Sequence, residues 1–205
     1  MFKKTIIFED SDLIAINKPT GLASQGGINI KLSADVLADE YAGGKLMHRL
    51  DKSVSGLLLF GKSKEACNIP ITEKTYYAIL LGSLQESGII ADKIGSIGRS
   101  QQISELGKES ITRFQTIEKQ TFEGQIYSFA KIQISTGRKH QIRVHCALSL
   151  GCPVLGDTKY GGPTSEDRIY LHSFSCLIKS FELKAEFPAD FTNKLQAIGF
   201  SKFLL

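Results

Sequence analysis

The chain has 205 residues, 42% of them hydrophobic, and a mean hydropathy of −0.04. These values predict one soluble domain, residues 1–205, with a single sizeable core. They exclude a membrane-spanning helix, because no apolar run approaches the roughly 20 residues that a bilayer requires. The formal net charge of +4 favours a polyanionic partner without identifying it.

The N-terminus and the cysteines indicate the cellular compartment. Acidic residues follow Lys3 and Lys4 closely, and the start of the chain has no apolar secretory segment. None of the four cysteines forms a C-x-x-C pair or has a histidine at zinc-finger spacing, so we expect reduced thiols that fill core space. A cytoplasmic location is therefore expected, with a mitochondrial one as the alternative.

The first third of the chain contains clear strand and helix signals. The patterns predict strands at residues 5–8 and 13–16, a loop over 20–31, a helix from Leu32 to Tyr41 and a strand at Leu57–Phe60. This last segment is a continuous apolar run bounded by glycines, which is typical of a strand buried on both faces.

Strands dominate the rest of the chain. The patterns predict strands at 75–81, 110–118, 127–135, 169–172 and 181–185, a helix at 140–150 and an irregular region over 82–108. Strands do not alternate regularly with helices. This arrangement predicts an α+β fold, built on a mixed, largely antiparallel sheet with a few flanking helices.

A carboxylate lies in a dense polar segment just before the strand at Leu57–Phe60. Asp51 has Arg49 and Lys52 as close neighbours, and small polar residues follow it. A loop that leads into a rigid strand holds a catalytic group well. The alternative is a solvated turn that Asp51 caps, and the residues alone favour neither reading.

A second dense segment lies at the predicted strand-to-helix junction, and its basic residues are Arg138, Lys139, His140, Arg143 and His145. Helix N-terminal amides add anion affinity there, so the cluster is suited to phosphate binding or to pairing with a buried carboxylate. The alternative is an exposed basic helix start. Gly137 and the neighbouring polar residues favour a shaped corner.

Together these segments resemble the RluA-type family of RNA pseudouridine synthases. Residues 48–56 resemble its catalytic motif HRLDxxTSG, with Val54 in place of the threonine. Matching segments follow the family's order: NKPxGL at 17–22, K-x-Y-x-A at 74–78, TGRxHQIRxH at 136–145, GxPxxGDxxYG at 151–161 and the LHA-type strand at 171–173.

The resemblance implies that uridines in rRNA or tRNA are isomerised to pseudouridine. The reaction breaks the N1–C1′ bond, turns the base and rejoins it through C5, so it needs one oxygen nucleophile and no cofactor or metal. The family's pattern places this nucleophile at Asp51. A paired arginine would favour its ionised form, with Arg138 as the family's candidate and Arg143 as the competing choice.

The resemblance also implies contacts to the RNA. Tyr76 occupies the family's tyrosine position, where its ring can stack on the uracil and its hydroxyl can handle a proton at C5, whereas Tyr77 faces the other side of the strand. Arg49 is expected to fill the gap that a flipped base leaves, or to grip a phosphate. Further contacts are expected from His48, His140, Arg143 and Leu171.

Two other functions stay open. The run from Lys64 to Lys74 is shorter than in the family, and no S4-like RNA-binding extension precedes residue 5. A catalytically weak or inactive RNA-binding protein of ribosome assembly is therefore the first alternative. The second is a metal-dependent nuclease that uses His48, Asp51 and His140, although no metal-ligand spacing supports it. We expect a monomer that another RNA-binding partner can assist.

Overall fold

The structure is a computed structural model that describes residues 2–28, 30–98, 100–163 and 165–202. It contains two compact units. The first comprises Met1–Lys74 and His172–Pro188, and the second comprises Thr75–Leu171 and Ala189–Leu205. Within the described ranges, no helix is both long enough and apolar enough to cross a membrane.

The strands in these ranges are short, with a few longer exceptions. In chain order they are β1 (Ile6–Glu9), β2 (Leu13–Lys18), β3 (Lys45–Leu46), β4 (Ser55–Gly61), β5 (Ile71–Leu81), β6 (Ser87–Ile90), β7 (Ile94–Ile97), β8 (Ser100–Ile103), β9 (Thr112–Phe122), β10 (Gln125–Ile134), β11 (Leu171–Ile178) and β12 (Phe181–Lys184). The α-helices are α1 (Ala34–Ala42), α2 (Lys64–Cys67), α3 (Gln141–Val144) and α4 (Ala189–Ile198).

The first unit is organised around β4. This strand is buried along its whole length, which confirms the predicted strand at Leu57–Phe60. It pairs antiparallel with β2 and β3, and parallel with the start of β11. β1 and β12 extend this arrangement through antiparallel pairs with β2 and β11. The pairing in this unit is therefore mixed.

Side chains from four strands form the core of the first unit. In this core, residues of β2, β4, β11 and β12 pack together: Leu13, Ala15, Leu57, Leu59, Cys176, Ile178 and Leu183. Burial raises the pKa of the Cys176 thiol to about 11. Cys146 and Cys152 are also buried and Cys67 is half-buried, and none of the four cysteines forms a disulfide in the structure.

The second unit contains the hydrogen-bonded series β5, β10, β9 and β6, in which β9 pairs antiparallel with β10 and with β6. β6 and the hairpin of β7 and β8 fall in the region 82–108, so the prediction that this region is irregular was wrong. Each of these strands is four residues long, and glycines and exposed polar residues interrupt the apolar alternation. Their backbone pairing with β9, or with each other, therefore leaves little trace in the sequence.

Several element boundaries also differ from prediction. α1 spans Ala34–Ala42 and ends at Gly43, which adopts a left-handed φ of 67° as its cap. The helix predicted at 140–150 consists of α3 and a π-helical turn at His145–Ser149, because the Leu150 N–H bonds to the His145 carbonyl. The strand predicted from residue 169 begins at Leu171.

The helix α4 was not predicted. It begins directly after Pro188, and Phe191, Leu195 and Ile198 form its buried face. The predicted strands at 110–118 and 127–135 are confirmed as β9 and β10, with boundaries shifted by a few residues. Strands exceed helices and the sheet pairing is mixed, so the predicted α+β class is confirmed.

Gly56, at the start of β4, provides a test of this packing. Its φ is +111°, and an added Cβ would lie 2.1 Å from the Ser173 carbonyl oxygen on the paired strand β11. We predict that Gly56→Ala lowers the free energy of unfolding by at least about 3 kcal/mol, through backbone strain and overpacking together. Urea denaturation measures this loss.

The matched control is Gly124→Ala. Gly124 also has a positive φ, +76°, but an added Cβ there meets nothing within 4 Å. We expect this variant to lose only the roughly 1–2 kcal/mol of left-handed backbone strain. Equal losses for the two variants would contradict the close approach of β4 to β11.

Candidate active site

The start of the Asp51 loop is held by a buried serine. The Ser24 hydroxyl accepts a hydrogen bond from the Leu50 N–H at 2.9 Å and donates one to the Leu50 carbonyl at 2.7 Å. Both polar groups of the residue before Asp51 are thereby satisfied. Ser24 was not predicted as a site residue, since a bond across 26 positions leaves no local sequence pattern.

Further bonds hold the rest of the loop against the segment that follows β2. Val54 N–H closes a turn on the Asp51 carbonyl at 3.0 Å, and Gly21 N–H donates to the Lys52 carbonyl at 2.8 Å. The segment is itself braced by Lys18, whose fully buried ammonium donates to the carbonyls of Pro19 and Leu22, each at 2.9 Å. Asp51, half-buried, thus projects from a backbone fixed on both sides.

His48, a predicted RNA contact, is bound to the protein's own backbone. Its Nε2 accepts a hydrogen bond from the Leu59 N–H at 3.2 Å, which requires an unprotonated nitrogen. Loss of hydration and the nearby charge of Lys74 lower the pKa of His48 to about 3. This geometry favours a neutral, structural histidine, and an RNA contact stays a prediction. Arg49, by contrast, is exposed.

A buried serine–histidine pair follows the loop at the junction of β4 and β11. The His172 Nε2 lies 2.8 Å from the Ala185 carbonyl, which can only accept, so this nitrogen carries the proton. Nδ1 therefore accepts from the Ser55 hydroxyl, also at 2.8 Å. Both side chains are fully buried, and this pair fixes the end of the loop that contains Asp51.

The two tyrosines of β5 are both buried. Tyr77 stacks on Phe129, with ring centroids 5.5 Å apart, and so belongs to the core of the second unit. Tyr76 alternates with it and therefore points to the opposite face of the strand, as predicted. Leu171 is buried at the start of β11, where a core role and a pocket wall are both compatible with its position.

Arg138 lies on an exposed loop between β10 and α3. Its Nε donates to the Glu109 carbonyl at 3.0 Å, and its backbone N–H donates to the side-chain oxygen of Gln141 at 3.0 Å. Gln141 is buried and was not predicted as a site residue. A possible signal was its position: a polar side chain next to the apolar Ile142, at the start of a buried helix.

Arg143, the alternative to Arg138, forms an ion pair with Asp157. Its guanidinium forms a bidentate pair with Asp157, with Nε–Oδ2 at 2.6 Å and Nη2–Oδ1 at 2.8 Å, and both side chains are buried. Such a fork is geometrically specific. It uses two of the five guanidinium N–H donors, so Arg138 and Arg143 both stay candidates for the arginine that acts with Asp51.

His140 is joined to the same region through Tyr160. Gln101 N–H donates to the Tyr160 hydroxyl at 3.2 Å, and His140 Nδ1 lies 2.8 Å from the same hydroxyl oxygen. The Tyr160 ring also lies 5.2 Å from the Arg143 guanidinium carbon. The second unit therefore brings His140 and Arg143 together around Tyr160, which was quoted in the motif but was not predicted as a site residue.

The described ranges contain no group of three or more histidine, cysteine, aspartate or glutamate side chains that could hold a metal ion.

Comparisons with known proteins agree on one family. A sequence model of the family described as RNA pseudouridylate synthase matches residues 12–148. Ribosomal large subunit pseudouridine synthase C of Rickettsia typhi is 39% identical over 217 aligned positions, which cover 93% of this chain and 70% of the relative. RNA pseudouridine synthase 4, mitochondrial, of Arabidopsis thaliana is 32% identical, over 76% of this chain and 40% of the relative.

A solved structure gives the same result. Human RNA pseudouridylate synthase domain containing 1 superposes with a TM-score of 0.77 and 27% sequence identity, over 95% of this chain and 86% of the human one. The matched family region contains Asp51, Tyr76 and Arg138.

The depressed pKa of His48 predicts a pH-dependent stability. Its folded pKa of about 3 lies below the ordinary value of about 6.5, so below pH 6.5 the unfolded chain binds the proton and the folded chain does not. Stability from this group is complete above pH 6.5 and falls as the pH drops, by at most about 1.4 kcal/mol per pH unit. We expect urea denaturation between pH 7 and pH 4 to reveal this slope.

The comparison variant is His48→Gln, whose amide oxygen can accept from Leu59 N–H but does not titrate. Its stability should depend less on pH than that of the natural chain. His145, whose pKa burial also lowers, contributes equally to both proteins and cancels. Parallel stability curves would show that His48 is protonated normally.

Proposed function

Because the chain belongs to the RNA pseudouridylate synthase family, we propose that it isomerises uridines of large-subunit ribosomal RNA to pseudouridine. The name of the relative from Rickettsia typhi supports this choice of RNA, and the present chain spans 70% of that relative. The observation that carries the proposal is the Asp51 loop, which lies in the matched region and is fixed by backbone bonds on both sides.

Asp51 is the proposed nucleophile. The isomerisation needs an ionised oxygen that attacks either the sugar or the base ring, and both routes stay open. In either route the N1–C1′ bond breaks, a C5–C1′ bond forms, C5 loses a proton and N1 gains one, so no electrons enter or leave. A carboxylate on a preorganised loop suits this task, because a small displacement of the attacking atom is costly to the rate.

Arg138 and Tyr76 are the proposed partners in the reaction. Arg138, at the family's arginine position in the matched region, would favour the ionised carboxylate, with Arg143 as the competing choice. Tyr76 would stack on the uracil and handle the proton at C5. Arg49, exposed beside the Asp51 loop, would fill the gap in the RNA stack or bind a phosphate.

The remaining assignments concern the protein as a whole. We propose that residues 1–205 act as one catalytic domain, as a monomer, without a cofactor or a metal. A cytoplasmic location fits an enzyme of ribosomal RNA, and the mitochondrial alternative is supported by the name of the Arabidopsis thaliana relative. His48, His140, Arg143 and Leu171 keep their proposed roles as RNA contacts, with His48 least favoured because its Nε2 is bonded to the Leu59 N–H.

The test of the proposal is incubation of the protein with transcribed large-subunit rRNA. Carbodiimide-dependent reverse-transcription stops locate any pseudouridine formed. We expect the natural chain to modify specific uridines, and Asp51→Asn to reduce the rate by at least about a thousandfold, since it removes the nucleophile. The control is Asp39→Asn, which alters an exposed carboxylate that pairs with Lys45.

The other outcomes separate the alternatives. Full modification by Asp51→Asn would refute the nucleophile assignment. No modification of any RNA by the natural chain would favour the role in ribosome assembly. Cleavage of the RNA that EDTA abolishes would favour the metal-dependent nuclease.

A further inference from the structure

The side chain of Gln141 is a saturated hydrogen-bonding centre. Its Oε1 accepts from the Thr136 hydroxyl at 2.8 Å and from the Arg138 N–H at 3.0 Å. Its Nε2 donates to the Ile111 carbonyl at 2.9 Å and to the Thr112 hydroxyl at 3.1 Å. An amide side chain has two acceptor and two donor positions, so all four are used. The residue is 2% exposed, so water does not compete for these bonds.

A second set of hydrogen bonds fixes the orientation of the Gln141 side-chain amide. His145 Nε2 lies 3.0 Å from the Asp92 carbonyl, which only accepts, so this nitrogen carries the proton. His145 Nδ1 then accepts from the Thr112 hydroxyl at 2.9 Å. That hydroxyl has donated its proton and must accept from Gln141, which fixes the orientation of the amide.

The loop that carries Arg138 depends on these polar bonds rather than on apolar packing. Gly137, Arg138 and Lys139 are all exposed, and a Cβ added at Gly137 would meet nothing within 4 Å. The other attachments of the loop are also hydrogen bonds: Ile111 N–H to the Thr136 hydroxyl at 3.0 Å, and Arg138 Nε to the Glu109 carbonyl at 3.0 Å. Among the side chains that form these hydrogen bonds, that of Gln141 is buried.

We propose that Gln141 is a positioning residue that sets the backbone of Arg138 for the isomerisation. The inference rests on the proposed function, in which Arg138 acts on the reacting groups. Gln141 touches the Arg138 N–H directly, and through Thr136 it fixes the start of the same loop. Loss of its amide leaves two donors of an exposed loop without their partner, so the loop relaxes and Arg138 leaves its productive position.

A double-mutant cycle tests this inference, with Gln141→Met and Arg138→Ala alone and combined. The readout is the single-turnover rate of pseudouridine formation at saturating rRNA. We expect Gln141→Met to reduce the rate by about tenfold or more in the natural background. In the Arg138→Ala background the same substitution should change the rate by less than about twofold, because its effect passes through Arg138.

The matched control is Ser128→Ala. Ser128 is also fully buried in the second unit, and its hydroxyl accepts from Leu84 N–H at 3.0 Å and donates to the Gly82 carbonyl at 2.8 Å. It has no hydrogen bond to the Arg138 loop among the bonds described. We expect a loss of thermal stability but the same rate at a temperature where the fold is intact.

Several results would overturn the inference. One is an equal rate loss from Gln141→Met in both backgrounds, which would indicate a general structural role. Another is a full rate in Gln141→Met. If Gln141→Met does not fold, Thr136→Val takes its place in the same cycle with the same criterion. It removes the hydroxyl that donates to Gln141 and accepts from Ile111 N–H.

The cycle also separates this inference from its premise. If the natural chain modifies RNA and Arg138→Ala does so equally well, the positioning role fails while the enzyme assignment stands. If the natural chain modifies no RNA, the proposed function itself fails.

Discussion

Two hydrogen bonds between the Ser24 hydroxyl and the backbone of Leu50 fix the start of the loop on which the proposed chemistry depends. One hydroxyl meets both the donor and the acceptor of the residue before Asp51, so this backbone position cannot rotate without breaking a buried bond. The Gly21–Lys52 bond and the Ser55–His172 pair hold the remainder of the loop. The carboxylate of Asp51 is therefore placed by backbone constraints before any RNA binds.

In the second unit, too, a buried polar side chain fixes a loop through its hydrogen bonds. Gln141 bonds to two donors and two acceptors from two separate segments, as Ser24 does on a smaller scale with one donor and one acceptor. Buried polar side chains of this kind contribute modest net stability, yet an unsatisfied member is costly, which makes the geometry specific. Arg143 and Asp157 form a buried ion pair in the same unit. Asp51 and Arg138 thus lie on loops whose shape is fixed by buried polar groups of the same unit.

The sequence predicted the strongly patterned parts of this protein. The glycine-bounded apolar run became β4, and the family motif gave Asp51, Tyr76 and Arg138 as candidates whose roles stay predictions. It did not predict β6–β8, since strands of four residues with exposed side chains lack a periodic signal, nor Ser24 and Gln141. Their bonds join positions 26 and 30 residues apart, and only the folded chain brings those groups together.

The central claim is that the clamped loop makes Asp51 an effective nucleophile, and Ser24→Ala tests it most directly. This variant removes both hydrogen bonds to Leu50 but keeps the Asp51 side chain itself. Single-turnover rates on large-subunit rRNA, with the Kd for the same RNA measured alongside, separate catalysis from binding. The account predicts a rate reduced about tenfold or more with an unchanged Kd. An unchanged rate in a folded Ser24→Ala protein would contradict it.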